Sequence, residues 1–543
     1  MSILQKRYRI IQTILFIFGG ISIAQAALPQ NVADVLNLPE TPYNYSNVNL
    51  PDHFNLQAVQ DLDNTPNTVT ANDDVATLGR VLFYEKRLSA NGTVACSSCH
   101  SQASGFSDNE ALSLGFNGGH TSRNSMPIAN VKFYRNGHFF WDERAETLAN
   151  QTLEPIQNAV EMGLTLEQAE AILEGDEIYQ YLFQQAYGDS NVTPDRMADA
   201  LSQFLRSILA YQSRYDAGLT AANNNVRQNF SNFSNEENLG KNLFFNPRTQ
   251  CAACHLANRN NGNNGNGQMN HAIFQPNRTF NNGLDENLVN ADNGVGDISG
   301  NTNDNGRFKV SSLRNIELTA PYMHDGRFSS LEQVVEHYNS GVQAHPNLDR
   351  RLRTGNGNNG TITPRRLNLS QTEKTALVAF LKTLTDTSML NDVRFSDPFI
   401  ASRELRTLAI SGTPVETRIT AQVSNGTETQ QSTFQAGETL SVNFSLTPDA
   451  RHISQMVPIY LLMIHNNEIL IKYPDNTWQP WVFGNIASLV PAETLTLTNS
   501  QVINVRENFT ATTGAYNFHL GYGTNNGDLI YNDEAFRFQV TAP

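Results

Sequence analysis

All four cysteines of the 543-residue chain fall in two short motifs, Cys96-Ser97-Ser98-Cys99-His100 and Cys251-Ala252-Ala253-Cys254-His255. Two thiols three positions apart, followed at once by an imidazole, is the arrangement that attaches a c-type haem. The thiols form thioethers with the two vinyl groups, and the histidine gives one axial nitrogen to the iron. Four cysteines in an exported chain would ordinarily be read as two disulfides. Zinc sites and thioredoxin-like pairs also use the C-x-x-C spacing, but neither requires a histidine at the fifth position of both motifs. The sequence therefore calls for two covalently bound haem c groups, with His100 on the first iron and His255 on the second. An iron with one open axial face performs peroxide chemistry, and one with both faces filled by protein transfers electrons.

The elements that must hold these motifs are repeated. Leu78-Gly79-Arg80-Val81-Leu82-Phe83-Tyr84 precedes the first motif and Leu239-Gly240-Lys241-Asn242-Leu243-Phe244-Phe245 the second. This internal repeat predicts two related, mainly α-helical, cytochrome c-like haem modules. Capping boxes open helices at Ser234-x-x-Glu237 and Ser370-x-x-Glu373, the latter carrying Leu377, Phe380, Leu381 and Leu384 at helical spacing. Another helix is expected from Pro194 to Tyr211. The Asn/Gly-rich stretch from Asn258 to Asn305 reads as a long surface excursion; its Asp292, Asp297 and Asp304 fit no calcium loop and are read as solvated. Beyond Pro398 the period changes to two, as in Leu440, Val442, Phe444, Leu446 and in Tyr516, Phe518, Leu520, Tyr522. With turn clusters such as Asn425-Gly426, this predicts an all-β, Ig-like sandwich of seven or eight strands.

The chain is 39% hydrophobic and carries a net charge of −15, so it can fill more than one core and is repelled by nucleic acid and by anionic membrane surfaces. Lys6, Arg7 and Arg9, an apolar run from Ile10 to Ile23, and Ala24-Gln25-Ala26 form an export signal, which predicts a periplasmic location and no stable membrane span once it is removed. The expected organisation is multidomain: a signal peptide at 1–26, an extension at 27–70, a first haem module at 71–220, a second at 221–400, and an accessory β-sandwich at 410–543.

Leu88-Ser89-Ala90, the first haem motif, Arg123-Asn124-Ser125, Phe140-Trp141-Asp142, Val160-Glu161-Met162, the second haem motif, and the run Leu313-Arg314-Asn315-Ile316-Glu317-Leu318-Thr319-Ala320-Pro321-Tyr322 follow one another. In this order they resemble the bacterial di-haem cytochrome c peroxidases and the related MauG. The resemblance spans about residues 70–390 and leaves the β region outside. It implies a peroxidatic N-terminal haem and an electron-relaying C-terminal haem. Many such peroxidases place a switch histidine seven residues before the Arg-Asn pair, where this chain has Phe116, as MauG-like members lack it; His120 is the nearest substitute. The resemblance makes Glu161 the catalytic carboxylate, with Gln157 four residues earlier, and makes Trp141 a relay between the haems. On the helix Ser330 to Tyr338, the residues Leu331, Val334, Val335 and Tyr338 share a buried face, and His337 points off it. The family's sixth ligand to the second iron falls at Tyr338, where the peroxidases carry Met and MauG-like members carry Tyr; Met323, His324 and His345 compete. Asn124 with the carbonyls of Thr319 and Pro321 matches a calcium site between the modules, oxygen ligands suiting that hard cation.

These readings together give a periplasmic di-haem enzyme that reduces hydrogen peroxide at an open first haem. Its electrons come from a small redox protein, a cytochrome c or a cupredoxin. The alternative is MauG-like oxidation of a protein partner, and the non-enzymatic alternative is an electron-transfer di-haem cytochrome.

Overall fold

The computed structural model describes residues 28–541 apart from 34, 257–270, 287–291, 355–361, 400–403, 406, 414, 426–432, 467, 483–487 and 533–534. The export signal at 1–26, Gly426 and part of the Asn/Gly-rich stretch lie outside the described residues.

Each haem motif is braced by the same pair of helices. In the first half Asp73–Tyr84 packs on Pro194–Ser207, and in the second Asn235–Phe244 packs on Gln371–Lys382. The sequence repeat explains why. A Cβ on Gly79 would lie 1.9 Å from the Ala200 carbonyl oxygen and 2.9 Å from Phe204 Cβ; one on Gly240 would lie 1.8 Å from Ala376 O and 2.9 Å from Phe380 Cβ. Only glycine lets these backbones touch. The helices start where the sequence says: Ser234 accepts from Glu237 N, Ser370 from Glu373 N, and each glutamate closes its capping box. The expected helix from Pro194 to Tyr211 stops at Ser207, after which Asn130 brackets the extended chain at Ala210, donating to its carbonyl and accepting from its N–H.

The extension is a strap across both modules. Tyr45 N and Ser46 N donate to Asp73, Tyr45 Oη donates to the Arg394 carbonyl, and buried His53 pairs at 2.7 Å with Asp216, which also holds Arg314. The Asn/Gly-rich stretch is not wholly a surface excursion. Ala272, Ile273 and Phe274 are fully buried, and Arg314 Nε donates to the Ala272 carbonyl from inside the core. The high density of Asn and Gly around this short apolar run hid it.

Among the described residues the C-terminal region contains a nine-stranded and a four-stranded sheet that share one apolar core, so thirteen strands stand where seven or eight are expected. The long strands carry the alternation that reveals them: on Thr439–Thr447, Leu440, Val442, Phe444 and Leu446 are all fully buried. The additional strands, such as Glu404–Leu405 and Trp478–Pro480, are too short to show a period. Among the described residues no helix is long and apolar enough to cross a membrane.

Gly240→Ala forces a methyl group into the Ala376 carbonyl. We expect it to destabilise the second module by about 3 kcal/mol, read in urea unfolding of the haem-loaded protein as loss of haem-region ellipticity at lower denaturant.

Candidate functional site

The first haem motif lies along one side of a cavity of about 550 Å³. Cys96–Cys99 form one helical turn whose opening N–H, from Ala95, is met by the Ser98 hydroxyl at 3.0 Å. His100 follows, its Nδ1 donating to the Phe106 carbonyl at 3.3 Å. That bond leaves Nε2 as the free lone pair, which is what an axial ligand requires. Burial lowers the His100 pKa and keeps the ring neutral, and burial also pushes the Cys96 thiol up to about 12.

Glu161 reaches the same cavity from a tight turn. Asn158 Oδ1 accepts from Val160 N and Glu161 N, Phe116 N donates to the Glu161 carbonyl, and Gly163 completes the turn at φ +73°. The Phe116 ring packs where a Gly163 side chain would be, so the position of the missing switch histidine is used for packing. Burial raises the Glu161 carboxyl pKa, offset in part by the Arg144 charge and reinforced by Glu154. His120 is exposed at the cavity edge. Gln157 does not line the cavity: it is exposed at the end of its helix, with its amide folded back onto the Leu153 carbonyl, and Gln151 and Asn158 line the cavity instead.

A second cavity of about 210 Å³, mostly apolar, is lined by Cys251, Cys254 and His255. Burial drops the His255 pKa to about 4, and its Nδ1 has no partner among the described residues. Tyr338, Met323 and His324 line this cavity, whereas His345 does not; the His345 ring is engaged with Asn281 and Asn347 N. Tyr338 lies on a π-helical turn, His337–Gly341, that extends the Leu331–Glu336 helix. Burial pushes its phenol up to about 12, with Asn282 pulling the other way. His337 is buried rather than turned outward, because its Nε2 faces the Asn282 carbonyl at 3.1 Å and its ring meets Phe328.

The two cavities share a wall made of Trp141, Asn124, Pro127, Lys309, Ser311 and Ser312. Trp141 Nε1 donates to the Asn124 carbonyl at 2.8 Å, and Lys309 N donates to the Trp141 carbonyl at 2.8 Å. Asn124 Nδ2 donates to the carbonyls of Glu110 and Ala111, which leaves Oδ1 as its remaining ligand atom; Thr319 and Pro321 line the second cavity beside it. Arg123, Lys309 and Tyr134 lie at or beside this wall. Arg123 grips Asp292 with two hydrogen bonds of 2.5 and 2.7 Å and also holds Asp142, so Asp292 is an ion-pair residue rather than a solvated one. Lys309 is buried, and Tyr134 donates a short hydrogen bond to Glu143. Paired thiols, a neutral buried histidine and an apolar cavity at each motif fit a covalently held haem in both places.

Residues 73–224 match the family model described as di-haem cytochrome c peroxidase. The chain is 34% identical over 314 residues to the cytochrome c551 peroxidase of Nitrosomonas europaea, covering 58% of this chain and 80% of that protein. It is 30% identical over 362 residues to the methylamine utilization protein MauG of Paracoccus denitrificans, covering 58% and 89%. Among solved structures, it is similar to a MauG-like protein associated with microbial copper homeostasis, with TM-score 0.51, 31% identity, and coverage of 65% of this chain and 99% of that one.

Replacing Cys251 and Cys254 with serine leaves only the first motif able to form thioethers. We expect covalent haem, measured as pyridine haemochrome per chain after denaturation, to fall by half.

Proposed function

Because this chain belongs to the family of di-haem cytochrome c peroxidases and MauG, we propose that its first haem cavity reduces hydrogen peroxide, with electrons passing from the second cavity across Trp141. The protein is an oxidoreductase with two haem c groups. The observation that carries the proposal is that Glu161, its carboxyl raised by burial, lines the same cavity as His100 while Trp141 borders both cavities.

When bound, the first haem supplies the iron at which the O–O bond of peroxide is reduced, and the second supplies a one-electron relay. Glu161 accepts the proton of the nearer peroxide oxygen and returns it to the farther one, which then leaves as water. A carboxylate does this only when ionised, and its burial moves the required ionisation toward neutral pH from the ordinary 4.5. Asn124 holds the Trp141 indole by its N–H and so fixes the ring in the partition. We assign Asn124 Oδ1 and the carbonyls of Thr319 and Pro321 to a calcium ion that would tie this partition to the second module.

Tyr338 is the sixth ligand we favour for the second iron, since it lines the cavity with His255 and a phenolate favours higher oxidation states. Together with Phe116 at the switch position, this favours the MauG-like mode, in which a protein partner rather than a small redox protein such as a cytochrome c or cupredoxin gives up the electrons. The two C-terminal sheets are proposed as an Ig-like accessory sandwich for docking, and the residue 1–26 signal as a route to the periplasm.

Glu161→Gln should lower the rate of the spectral change that follows one equivalent of peroxide by about 100-fold or more, measured by stopped-flow on the ferric protein without reductant. The wild-type rate should fall as pH drops through the raised carboxyl pKa, and this limb should vanish in the variant. Two low-spin ferric haems that ignore peroxide until half-reduced would overturn the open-haem reading and make His120 the suspected ligand. Inertness to peroxide in every redox state would leave an electron-transfer cytochrome. Tyr338→Met should raise the second haem's midpoint potential in spectroelectrochemical titration, because a thioether favours ferrous iron.

A further inference from the structure

Tyr134 is 1% exposed, lines the first haem cavity, and donates its phenolic hydrogen bond to the Glu143 carboxylate. Burial and the Glu143 charge both raise its pKa, so the reduced phenol keeps its proton. A phenol that loses an electron becomes strongly acidic, and it can be oxidised readily only where a base already holds its proton. Glu143 is that base. Asn136, an exposed residue, reaches Glu143 with its amide at 3.3 Å, which links the carboxylate to the surface. Lys309 completes the cluster from the wall between the cavities. Its Nζ donates to the His138 carbonyl at 2.9 Å and stands 3.7 Å from the centre of the Tyr134 ring. Burial lowers the Lys309 pKa to about 7, and the nearby Glu143 charge opposes that shift.

We propose that Tyr134 is an oxidisable residue of the first haem cavity, giving up an electron into that cavity while its proton passes to Glu143. The step balances. The Tyr134 O–H bond breaks, the electron goes to the peroxide-oxidised site, and the proton forms an O–H bond on Glu143, leaving a neutral phenoxyl and a carboxylic acid. Reduction of hydrogen peroxide to two waters takes two electrons and two protons, and Tyr134 supplies one of those electrons. This source is separate from the Trp141 route, because Tyr134 lines the first cavity and not the second. Glu143 is a positioning and proton-accepting residue and touches no haem ligand. The inference rests on the peroxide chemistry proposed above.

The test is rapid-freeze EPR of the haem-loaded ferric protein after peroxide without reductant, with ring-deuterated tyrosine incorporated in parallel to identify the radical. The wild type should give a tyrosyl signal that narrows on deuteration and is absent in Tyr134→Phe at unchanged haem content. Glu143→Gln keeps the phenol but removes the base, so its signal should form at least tenfold more slowly. A wild type that changes its optical spectrum with peroxide yet gives no tyrosyl signal, or a signal unaltered in Tyr134→Phe, overturns the inference and leaves the peroxide reading intact. A signal that forms in Glu143→Gln as fast as in the wild type overturns the role of Glu143. No optical change with peroxide overturns both the inference and the reading on which it rests.

Discussion

The partition between the two haem cavities is the constraint to which the rest of the first four hundred residues answers. Six residues line both cavities, Trp141, Asn124, Pro127, Lys309, Ser311 and Ser312, and Lys309 is buried among them. The central residues of the partition are held from behind: the Trp141 indole by Asn124, its carbonyl by Lys309 N, and Asn124 N by the His324 carbonyl. Arg123, one position before Asn124, is fixed by Asp142 from its own module and by Asp292 from the other half of the chain. The wall is therefore a joint between modules as well as a boundary.

Burial shifts several titrations near the site. Neutral imidazoles are favoured at His100 and His255, protonated phenols at Tyr134 and Tyr338, and a raised carboxyl at Glu161, all because burial penalises charge. Where a charge persists in the wall it has a partner. Asp292 would be raised by burial, but the hydrogen bonds and charge of Arg123 hold it below the ordinary value. The Gly79 and Gly240 crossings bring each pair of helices close enough to back its cavity with solid packing.

What the sequence makes legible follows from how local each signal is. The haem motifs, capping boxes and Leu-Gly repeats are contiguous, so they can be read directly, and the long C-terminal strands declare themselves by alternation. The pairs Arg123 with Asp292 and Lys309 with Glu143 join residues more than 160 positions apart, and nothing in a single sequence links them. Gln157 is a failure of another kind: family spacing put it near Glu161, but a side chain at a helix end can satisfy itself on its own helix, and this one does. Ala272, Ile273 and Phe274 are hidden because three core residues cannot outweigh the Asn and Gly around them.

The two proximal histidines carry the asymmetry between the haems one step further. His100 has its Nδ1–H engaged by the Phe106 carbonyl, whereas His255 Nδ1 is buried without a partner among the described residues. A hydrogen bond accepted from Nδ1–H gives the imidazole more electron density to donate from Nε2 and fixes its plane. Under the proposed assignment, that bond would make His100 a strong donor to an iron that gives electrons to peroxide. At the second site no described residue engages His255 Nδ1, and Tyr338, if it holds the second haem as proposed, would supply an anionic oxygen. Tyr338 is suited to this only with a cation beside it, because its buried phenol holds its proton up to about 12. Were Tyr338 to hold the second haem, the iron would supply the charge needed to ionise the phenol, so binding and loss of the proton would be coupled.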